Sequence, residues 1–131
     1  MATDPCPFCR RIAAGDVVVK GRRVTAFPDA HPLSPGHTLV VPLRHEPDFF
    51  ALHADELVEL MVMAFDLQER LRRELGFDGV NLGVNAGTAA GQTVPHAHLH
   101  LIPRYLGDTP NPAGGVRWIV PDQARYGEGT P

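Results

Sequence analysis

The sequence lacks the features that mark several large classes of protein. It has only two cysteines in 131 residues, too few for a disulfide scaffold. No apolar run approaches the roughly 20 residues that a membrane helix needs, and the N-terminus does not resemble a signal peptide. The formal net charge of -3 leaves no basic footprint for nucleic acid. We therefore expect a cytoplasmic, soluble protein with neither a membrane nor a nucleic-acid partner.

Internal repeats and a second domain are also missing. A chain of 131 residues with 44% hydrophobic residues fits a single domain with one core. We place this core at about residues 6–104. Residues 105–131 are rich in glycine and proline and are expected to form a C-terminal arm, with one short strand at 116–120.

Apolar spacing predicts an α+β fold with a five-stranded antiparallel sheet, one long helix and a short N-terminal helix. In the long helix, apolar residues recur every three or four positions, which predicts one buried stripe. Met61, Met63 and Phe65 extend this apolar surface onto a second face of the helix, and the excess predicts a two-fold homodimer. If the sheet covers all of it, no such interface is needed. The predicted helices are 7–14 and 55–75, and the predicted strands are 17–20, 23–27, 38–42, 80–85 and 96–102. The predicted buried stripe of the long helix consists of Leu57, Leu60, Met61, Ala64, Leu67, Leu71 and Leu75.

Three histidines alternate with apolar residues at 96, 98 and 100. On a strand they would share one face, while Ala97 and Leu99 point into the core. Imidazole suits nucleophilic and acid–base chemistry near neutral pH. The alternatives are a solvated strand face and a metal patch.

A single zinc ion held by all three histidines is disfavoured by their spacing. Alternate Cβ atoms on a strand lie ~7 Å apart, so the three positions spread over roughly 13 Å. This spread suits instead a central group at the reacting atom with a neighbour on each side. His98 is then the natural nucleophile, and its attack on phosphorus would give a phosphoramidate intermediate.

The loop before the histidines, residues 86–93, has the composition of a phosphate site. Gly87 and Gly91 let backbone N–H groups approach an anion, and Gln92 and Thr93 add side-chain donors. The loop lacks the Gly-Lys-Ser/Thr ending of a P-loop, so it is not a Walker site.

Cys6 and Cys9 have the spacing of half a zinc site. A thioredoxin-like redox pair would need a βαβ context, which is absent here. Two unligated thiols in a short helix remain the alternative.

Three segments together resemble the histidine triad (HIT) family of nucleotide hydrolases and transferases. Residues 91–102 are similar to its signature, residues 27–42 to its nucleotide-pocket segment, and residues 84–87 to its phosphate-loop entrance. The resemblance covers about Cys6 to Arg104.

The resemblance implies transfer of a nucleoside monophosphate to His98 and then to water. His100 and His37 would hold phosphate oxygens, and His96 would orient the site. The broken bond would be a P–N or P–O–P bond of a purine nucleotide, and no organic cofactor is implied. A histidine at position 100 favours a hydrolase, because the transferases carry glutamine there. The implied substrate contacts are Gly91, Gln92 and Thr93 for the phosphate and leaving-group oxygens, Asn85 for ribose or phosphate, Asp29 for ribose and Phe27 for the base.

The resemblance also implies a metal and an assembly. Some bacterial relatives with an N-terminal C-x-x-C bind structural zinc, and the matching ligands here are Cys6, Cys9, His45 and His96. Family members form homodimers in which the long helix and the fourth strand meet, and we expect Trp118 near that interface. The alternative function is a nucleotide-binding regulatory module with little turnover.

Overall fold

The computed structural model describes residues 5–125, so both ends of the predicted domain, residues 1–4 and 126–131, lie outside the described residues. The helices are α1 (Pro7–Ala14), α2 (Ala54–Leu75) and α3 (Pro121–Ala124). The strands are β1 (Val19–Lys20), β2 (Val24–Pro28), β3 (Thr38–Pro42), β4 (Gly79–Val84) and β5 (Leu99–Arg104). Short 3-10 turns occupy Phe49–Ala51, Thr88–Ala90 and Gly115–Ile119.

The five strands form one sheet in the order β1-β2-β3-β5-β4, and every neighbouring pair is antiparallel. The predicted α+β class and five-stranded antiparallel sheet are thus confirmed. The last strand in the chain, β5, lies between β3 and β4, so His100 pairs with Leu39 on one side and Gly83 on the other. This position places His100 inside the sheet and leaves β4 at an edge.

The two faces of the sheet are covered by different helices. On one face, α2 packs its apolar side against alternate residues of the central strands, including Ala26, Val40, Leu99 and Leu101. On the other face, Phe8 of α1 packs against Phe27, Leu39 and Val41. Because side chains alternate along a strand, the residues between the core positions of β5 face α1. His100 therefore lies on the face that α2 does not cover.

The buried stripe of α2 is shifted from the predicted one. Leu60, Met63, Ala64 and Leu67 form its buried centre. Leu57 is 40% exposed, and Leu75 is exposed as well. The prediction was wrong for these two residues and for Met63, which was assigned to a second face. The spacing of three and four residues is preserved, but the helix is rotated so that Met63 points toward β1 and β2.

The strand that was predicted to carry all three histidines begins later than expected. The prediction placed it at 96–102, but β5 starts at Leu99, so His96 and His98 precede the ladder. Continuing the register would place Pro42 opposite Ala97, and proline has no N–H for the ladder. Ala97 instead donates its N–H to the carbonyl of Glu46, at 2.7 Å.

The prediction of a strand at 116–120 was wrong. Gly115–Ile119 form a 3-10 turn, in which the Arg117 N–H donates to the Gly114 carbonyl. Pro121 begins α3 directly afterwards, which leaves no extended stretch to pair with β4. Across residues 5–125, the helices are either too short or too polar to cross a bilayer.

Candidate active site

His98 lies just before β5 with one ring nitrogen already bonded. Its Nδ1 is 2.8 Å from the carbonyl oxygen of His96. A carbonyl can only accept, so the proton of the neutral ring is on Nδ1 and the lone pair is on Nε2. Phe8 contacts the ring edge-to-face, with centroids 5.0 Å apart. The imidazole is thus buried and oriented, with a nucleophilic nitrogen available.

His100 and His37 form a hydrogen-bonded chain next to His98. Leu33 donates its N–H to His37 Nδ1 at 3.0 Å, and His37 Nε2 is 2.9 Å from His100 Nδ1. In neutral rings, this order places a proton on His37 Nε2, which donates to His100 Nδ1. The proton of His100 is then on Nε2. His100 therefore offers an N–H donor next to His98, with their ring centroids 5.0 Å apart.

The electrostatics of the site favour neutral rings for both partners of His98. Burial, with smaller contributions from the neighbouring His98 and His37, lowers the pKa of His100 to about 4, although the carboxylate of Asp29 opposes the shift. Burial also lowers the pKa of His37, although the carboxylate of Asp29 opposes this shift. Near pH 7 both rings are uncharged, which preserves the single hydrogen-bond direction described above.

Asp29 directly follows β2 and connects the histidine chain to the loop after it. Its Oδ2 is 3.4 Å from His37 Nε2, and its Oδ1 accepts the N–H of His31 at 2.8 Å. The carboxylate is therefore fixed beside His37 and His100. Asn85 directly follows β4 and lies on the other side of His100, whose strand pairs with β4 through Gly83. Two of the six predicted substrate contacts thus follow strands on opposite sides of the strand that carries His100.

The glycines of the loop at 86–93 have the backbone angles that only glycine adopts easily. Gly87 and Gly91 have φ values of 91° and 93°. Gln92 closes this loop from within. Its Oε1 accepts the N–H of Gly87 at 2.8 Å, and its Nε2 donates to the carbonyls of Pro47 and Val94. The amide of Gln92 is thus engaged within the loop, while Gly91 and Thr93 are exposed.

The ring of Phe27 is covered rather than open to a base. It is 0% exposed. Phe8 lies edge-on at a centroid distance of 5.2 Å, and the Arg11 guanidinium carbon lies 4.2 Å above the ring centroid. A base that enters this region therefore meets the groups that cover Phe27 before it can reach the ring.

The four residues predicted as metal ligands come together at one end of α1. One donor atom from each of Cys6, Cys9, His45 and His96 lies within 4.8 Å of all the others. Cys9 Sγ is 3.3 Å from His45 Nδ1 and 3.5 Å from His96 Nδ1. Ligand atoms at the corners of a tetrahedron around zinc lie about 3.5 Å apart. The two cysteines are thiols and not a disulfide.

The orientation of the His96 ring fits a metal ligand. Its Nε2 is 2.8 Å from the carbonyl of Pro42, so Nε2 carries the proton and Nδ1 presents its lone pair to the two thiols. A ligating histidine usually donates its second ring N–H to a carbonyl or carboxylate in this way. Two thiolates and two imidazoles form a donor set of the closed, structural type. These residues could hold a metal ion.

Arg44 and Glu56 position the loop that carries His45. Arg44 donates from Nε and Nη2 to the two carboxylate oxygens of Glu56, at 2.8 and 2.9 Å. The same guanidinium donates to Glu46, and it lowers the pKa of the Glu56 carboxyl. Both residues next to His45 are thereby tied to the first turn of α2.

Sequence reasoning missed Phe8, Arg11 and the pair of Arg44 and Glu56. Phe8 contacts both His96 and His98. The only signal available was its place between the two cysteines, where it also fits the apolar side of a short helix. The histidines without a predicted role are at the surface: His31 is in a loop, and His53 is the N-cap of α2.

Comparisons with known proteins agree with this geometry. The HIT domain model matches residues 10–107. An uncharacterized HIT-like protein from Methanocaldococcus jannaschii is 43% identical over 106 residues, which cover 79% of this chain and 81% of that protein. The asymmetrical bis(5'-nucleosyl)-tetraphosphatase from Schizosaccharomyces pombe is 34% identical over 101 residues, which cover 77% of this chain and 56% of that enzyme. A zinc-bound histidine triad family protein from Mycobacterium smegmatis has a TM-score of 0.73 and 27% identity, with 95% of this chain and 97% of that chain covered.

The lowered pKa of His100 predicts a specific loss of stability in acid. Between the ordinary histidine value of 6.5 and about 4, the unfolded chain binds a proton at His100 that the folded chain does not. The free energy of unfolding should therefore fall as the pH is lowered through this window. His100→Gln should remove about 2 kcal/mol of that fall between pH 6.5 and 4.5.

Urea unfolding at these two pH values measures the difference, and His31→Gln controls for the loss of a histidine at the surface. Equal acid sensitivity of wild type and His100→Gln would show that His100 is not held neutral by the fold.

Proposed function

The chain belongs to the HIT family, and we propose that it is a nucleotide hydrolase that uses His98 as its nucleophile. The observation that carries the proposal is the hydrogen bond from His98 Nδ1 to the His96 carbonyl, at 2.8 Å. This bond leaves the Nε2 lone pair for attack on phosphorus. The substrate is a purine nucleotide in which a nucleoside monophosphate is joined to its leaving group by a P–N or P–O–P bond.

In the first step, His98 Nε2 attacks the α-phosphorus and forms an N–P bond. The bond from phosphorus to the leaving group breaks, and the leaving group departs with the electron pair. An amine leaving group also takes up a proton from solvent, which reaches the exposed loop residues Gly91 and Thr93. In the second step the oxygen of water forms a bond to phosphorus and releases a proton to solvent, the N–P bond breaks, and Nε2 recovers its lone pair. Two displacements thus replace one difficult displacement.

The hydrogen-bonded chain of His37 and His100 stabilises the charge on the phosphoryl oxygens. His100 Nε2–H is oriented for this task because its Nδ1 already accepts from His37. Donors that are fixed before the reaction stabilise a developing charge without reorganising. The hydroxyl of Thr93 supplies a further donor from the loop, whereas the Gly91 N–H already donates to the Thr88 carbonyl at 3.0 Å. Gln92 acts by holding that loop closed.

Asp29 and Asn85 extend the site toward the nucleoside and the phosphate. Asp29 lies beside His37, so its carboxylate is in place to accept ribose hydroxyls. Asn85 lies across His100 from Asp29 and is assigned to the phosphate. Relatives named for cleavage of dinucleoside polyphosphates include the fission yeast tetraphosphatase and a bifunctional bis(5'-adenosyl)-triphosphatase/adenylylsulfatase from Arabidopsis thaliana, 40% identical over 83 residues. Their names favour P–O–P substrates as the first to assay, with an adenosine phosphoramidate beside them.

The role of His98 is tested by substitution. His98→Ala should lower turnover of diadenosine polyphosphate and adenosine phosphoramidate by several orders of magnitude, because the N–P intermediate cannot form. The fold should be retained, since position 98 faces the site and not the α2 core. The matched control is His31→Ala, which removes a surface imidazole and should leave turnover unchanged.

A covalent nucleotidyl-protein, trapped by acid quenching and detected by mass spectrometry, should appear in wild type and vanish in His98→Ala. Residual turnover within about tenfold of wild type would exclude His98 as the nucleophile. A wild-type protein that binds nucleotide but forms no adduct and no product would instead be a regulatory binding module.

We propose zinc as the metal of the four-ligand site, and the similar protein from Mycobacterium smegmatis supports this choice because it binds zinc. Bound there, zinc would supply folding energy and not reaction chemistry, because all four positions are taken by protein ligands. His96 links this site to the nucleophile, since its carbonyl holds His98 and its ring faces the thiols. The metal site thereby fixes the segment from which His98 projects.

Metal analysis of untagged protein should find about one zinc per chain. Chelation should lower the Tm of wild type, and Cys9→Ser should show a low Tm with no further drop on chelation. Zinc that stays bound in Cys9→Ser but is lost in His98→Ala would contradict this assignment. So would a metal-free wild type.

We also propose a two-fold homodimer through α2 and the edge strand β4. Leu57, Met61 and Phe65 recur every four residues and form a stripe next to the buried one. Glu59 lies on the opposite flank of α2, where it accepts the N–H groups of Arg23 and Val24 of the β2 region. The stripe therefore faces β4, where Leu82 is 37% exposed and Phe65 on the helix is 64% exposed.

Sedimentation at micromolar concentration should give a mass near twice 14.3 kDa. Leu82→Arg should shift the protein toward the monomer, because it places an unpaired charge in the apolar contact. Phe50→Arg changes an exposed apolar residue in the 3-10 turn before α2, outside the proposed interface, and serves as the control. A wild-type monomer would exclude the dimer and any role of Trp118 at its interface.

A further inference from the structure

Arg11 covers the ring of Phe27, the residue that was expected to contact the base. Its guanidinium carbon lies 4.2 Å above the centroid of the Phe27 ring. Two acceptors hold the group in this position: the Pro28 carbonyl accepts from Nη1 at 2.7 Å, and Asp16 Oδ2 accepts from Nε at 3.1 Å. The Arg11 side chain is still 23% exposed. One part of it is therefore fixed against Phe27 while another part meets solvent.

Arg11, Asp29 and His100 follow one another in the same order as the base, ribose and phosphate of a nucleotide. Arg11 is bonded to the carbonyl of Pro28, which directly precedes Asp29. Asp29 lies 3.4 Å from His37, and His37 lies 2.9 Å from His100. A nucleotide whose phosphate is at His100 and whose ribose is at Asp29 therefore directs its base toward Arg11.

We propose that the guanidinium plane of Arg11, and not the ring of Phe27, is the surface on which the nucleobase stacks. The inference rests on the proposed nucleotide-binding function and names the residue that selects the base. A guanidinium is planar and weakly hydrated, and it stacks on aromatic faces. The Arg11 guanidinium already lies over the ring of Phe27, so a base on its other side would complete a layered arrangement of ring, guanidinium and base. A purine, with two fused rings, covers more of this plane than a pyrimidine.

The two hydrogen-bond acceptors of Arg11 favour stacking of a base on its guanidinium. Arginine normally loses side-chain freedom when it is immobilised by a ligand. Here the contacts to Pro28 and Asp16 immobilise Arg11 before any ligand binds. The loss of entropy has therefore already occurred in the free protein, and the stacking interaction contributes fully to nucleotide affinity.

A different role for Arg11 would predict the opposite change in nucleotide affinity when the residue is replaced. If Arg11 were a plug that the base displaces, its removal would expose Phe27 and tighten nucleotide binding. If Arg11 is the stacking surface, its removal weakens binding. Arg11→Met separates the two, because methionine is flexible enough to keep Phe27 covered but carries no planar cation.

The test compares the affinities of AMP and ribose 5-phosphate, which lacks the base, by isothermal titration calorimetry. In wild type, AMP should bind more tightly than ribose 5-phosphate. Arg11→Met should weaken AMP binding about tenfold and leave ribose 5-phosphate binding unchanged. Arg11→Lys should weaken AMP as well, since it keeps the charge but loses the plane. The control is Arg10→Met, a neighbouring arginine on the exposed side of α1, which should affect neither ligand.

Each contrary result has a distinct meaning. AMP affinity that is unchanged or tighter in Arg11→Met overturns this inference while leaving the proposed hydrolase intact. The same holds if AMP and ribose 5-phosphate are weakened equally, because the base is then not what Arg11 contacts. A wild type that binds neither ligand overturns the proposed nucleotide site and this inference with it.

Discussion

The hydrogen bond between the His98 ring and the His96 carbonyl is the interaction on which the site depends. It sets the proton on Nδ1 and so makes Nε2 the nucleophilic atom. The same segment carries the His96 ring, whose Nε2 is bonded to the Pro42 carbonyl and whose Nδ1 faces the cysteine thiols. The backbone of one residue orients the proposed nucleophile, and its side chain belongs to the metal-ligand cluster. Displacement of this segment would disturb both sites together.

One face of the sheet forms the hydrophobic core with α2, and the other face carries the histidines of the proposed active site. The α2 face is apolar, and its residues on β5, Leu99 and Leu101, alternate with groups that face α1. On the α1 face, burial has a different effect, because it keeps His37 and His100 neutral and so preserves the direction of their hydrogen bonds. Charged rings could not both donate and accept along that chain. The low dielectric of the interior therefore serves the proposed chemistry as well as the fold.

Much of the fold and part of the site could be predicted from local patterns. The bounds of α1 and β3 match their predictions, because capping, proline and short apolar runs act within a few residues. The errors occur where a residue far away in the sequence determines the local structure. Pro42 ends the ladder opposite the histidines, so β5 begins at Leu99. The packing of α2 on β2 and β3 sets its rotation, which exposes Leu57 and buries Met63. The 3-10 turn at Gly115–Ile119 replaced a predicted strand, because local hydrogen bonds such as that from the Arg117 N–H to the Gly114 carbonyl formed there and a ladder with the edge strand β4 did not.

By itself, the sequence determined the kinds of groups present and their local spacing: alternating histidines, a glycine loop that needs positive φ, and a pair of cysteines one helical turn apart. These depend only on backbone geometry over a few residues. Tertiary structure alone brought His45 to Cys9 across 36 positions, and His96 to the same thiol across 87. It also placed Arg11 over Phe27 and used the Gln92 amide to close its own loop. Such contacts follow from strand order and from the side of the sheet on which α1 packs, and neither is encoded in the spacing of neighbouring residues.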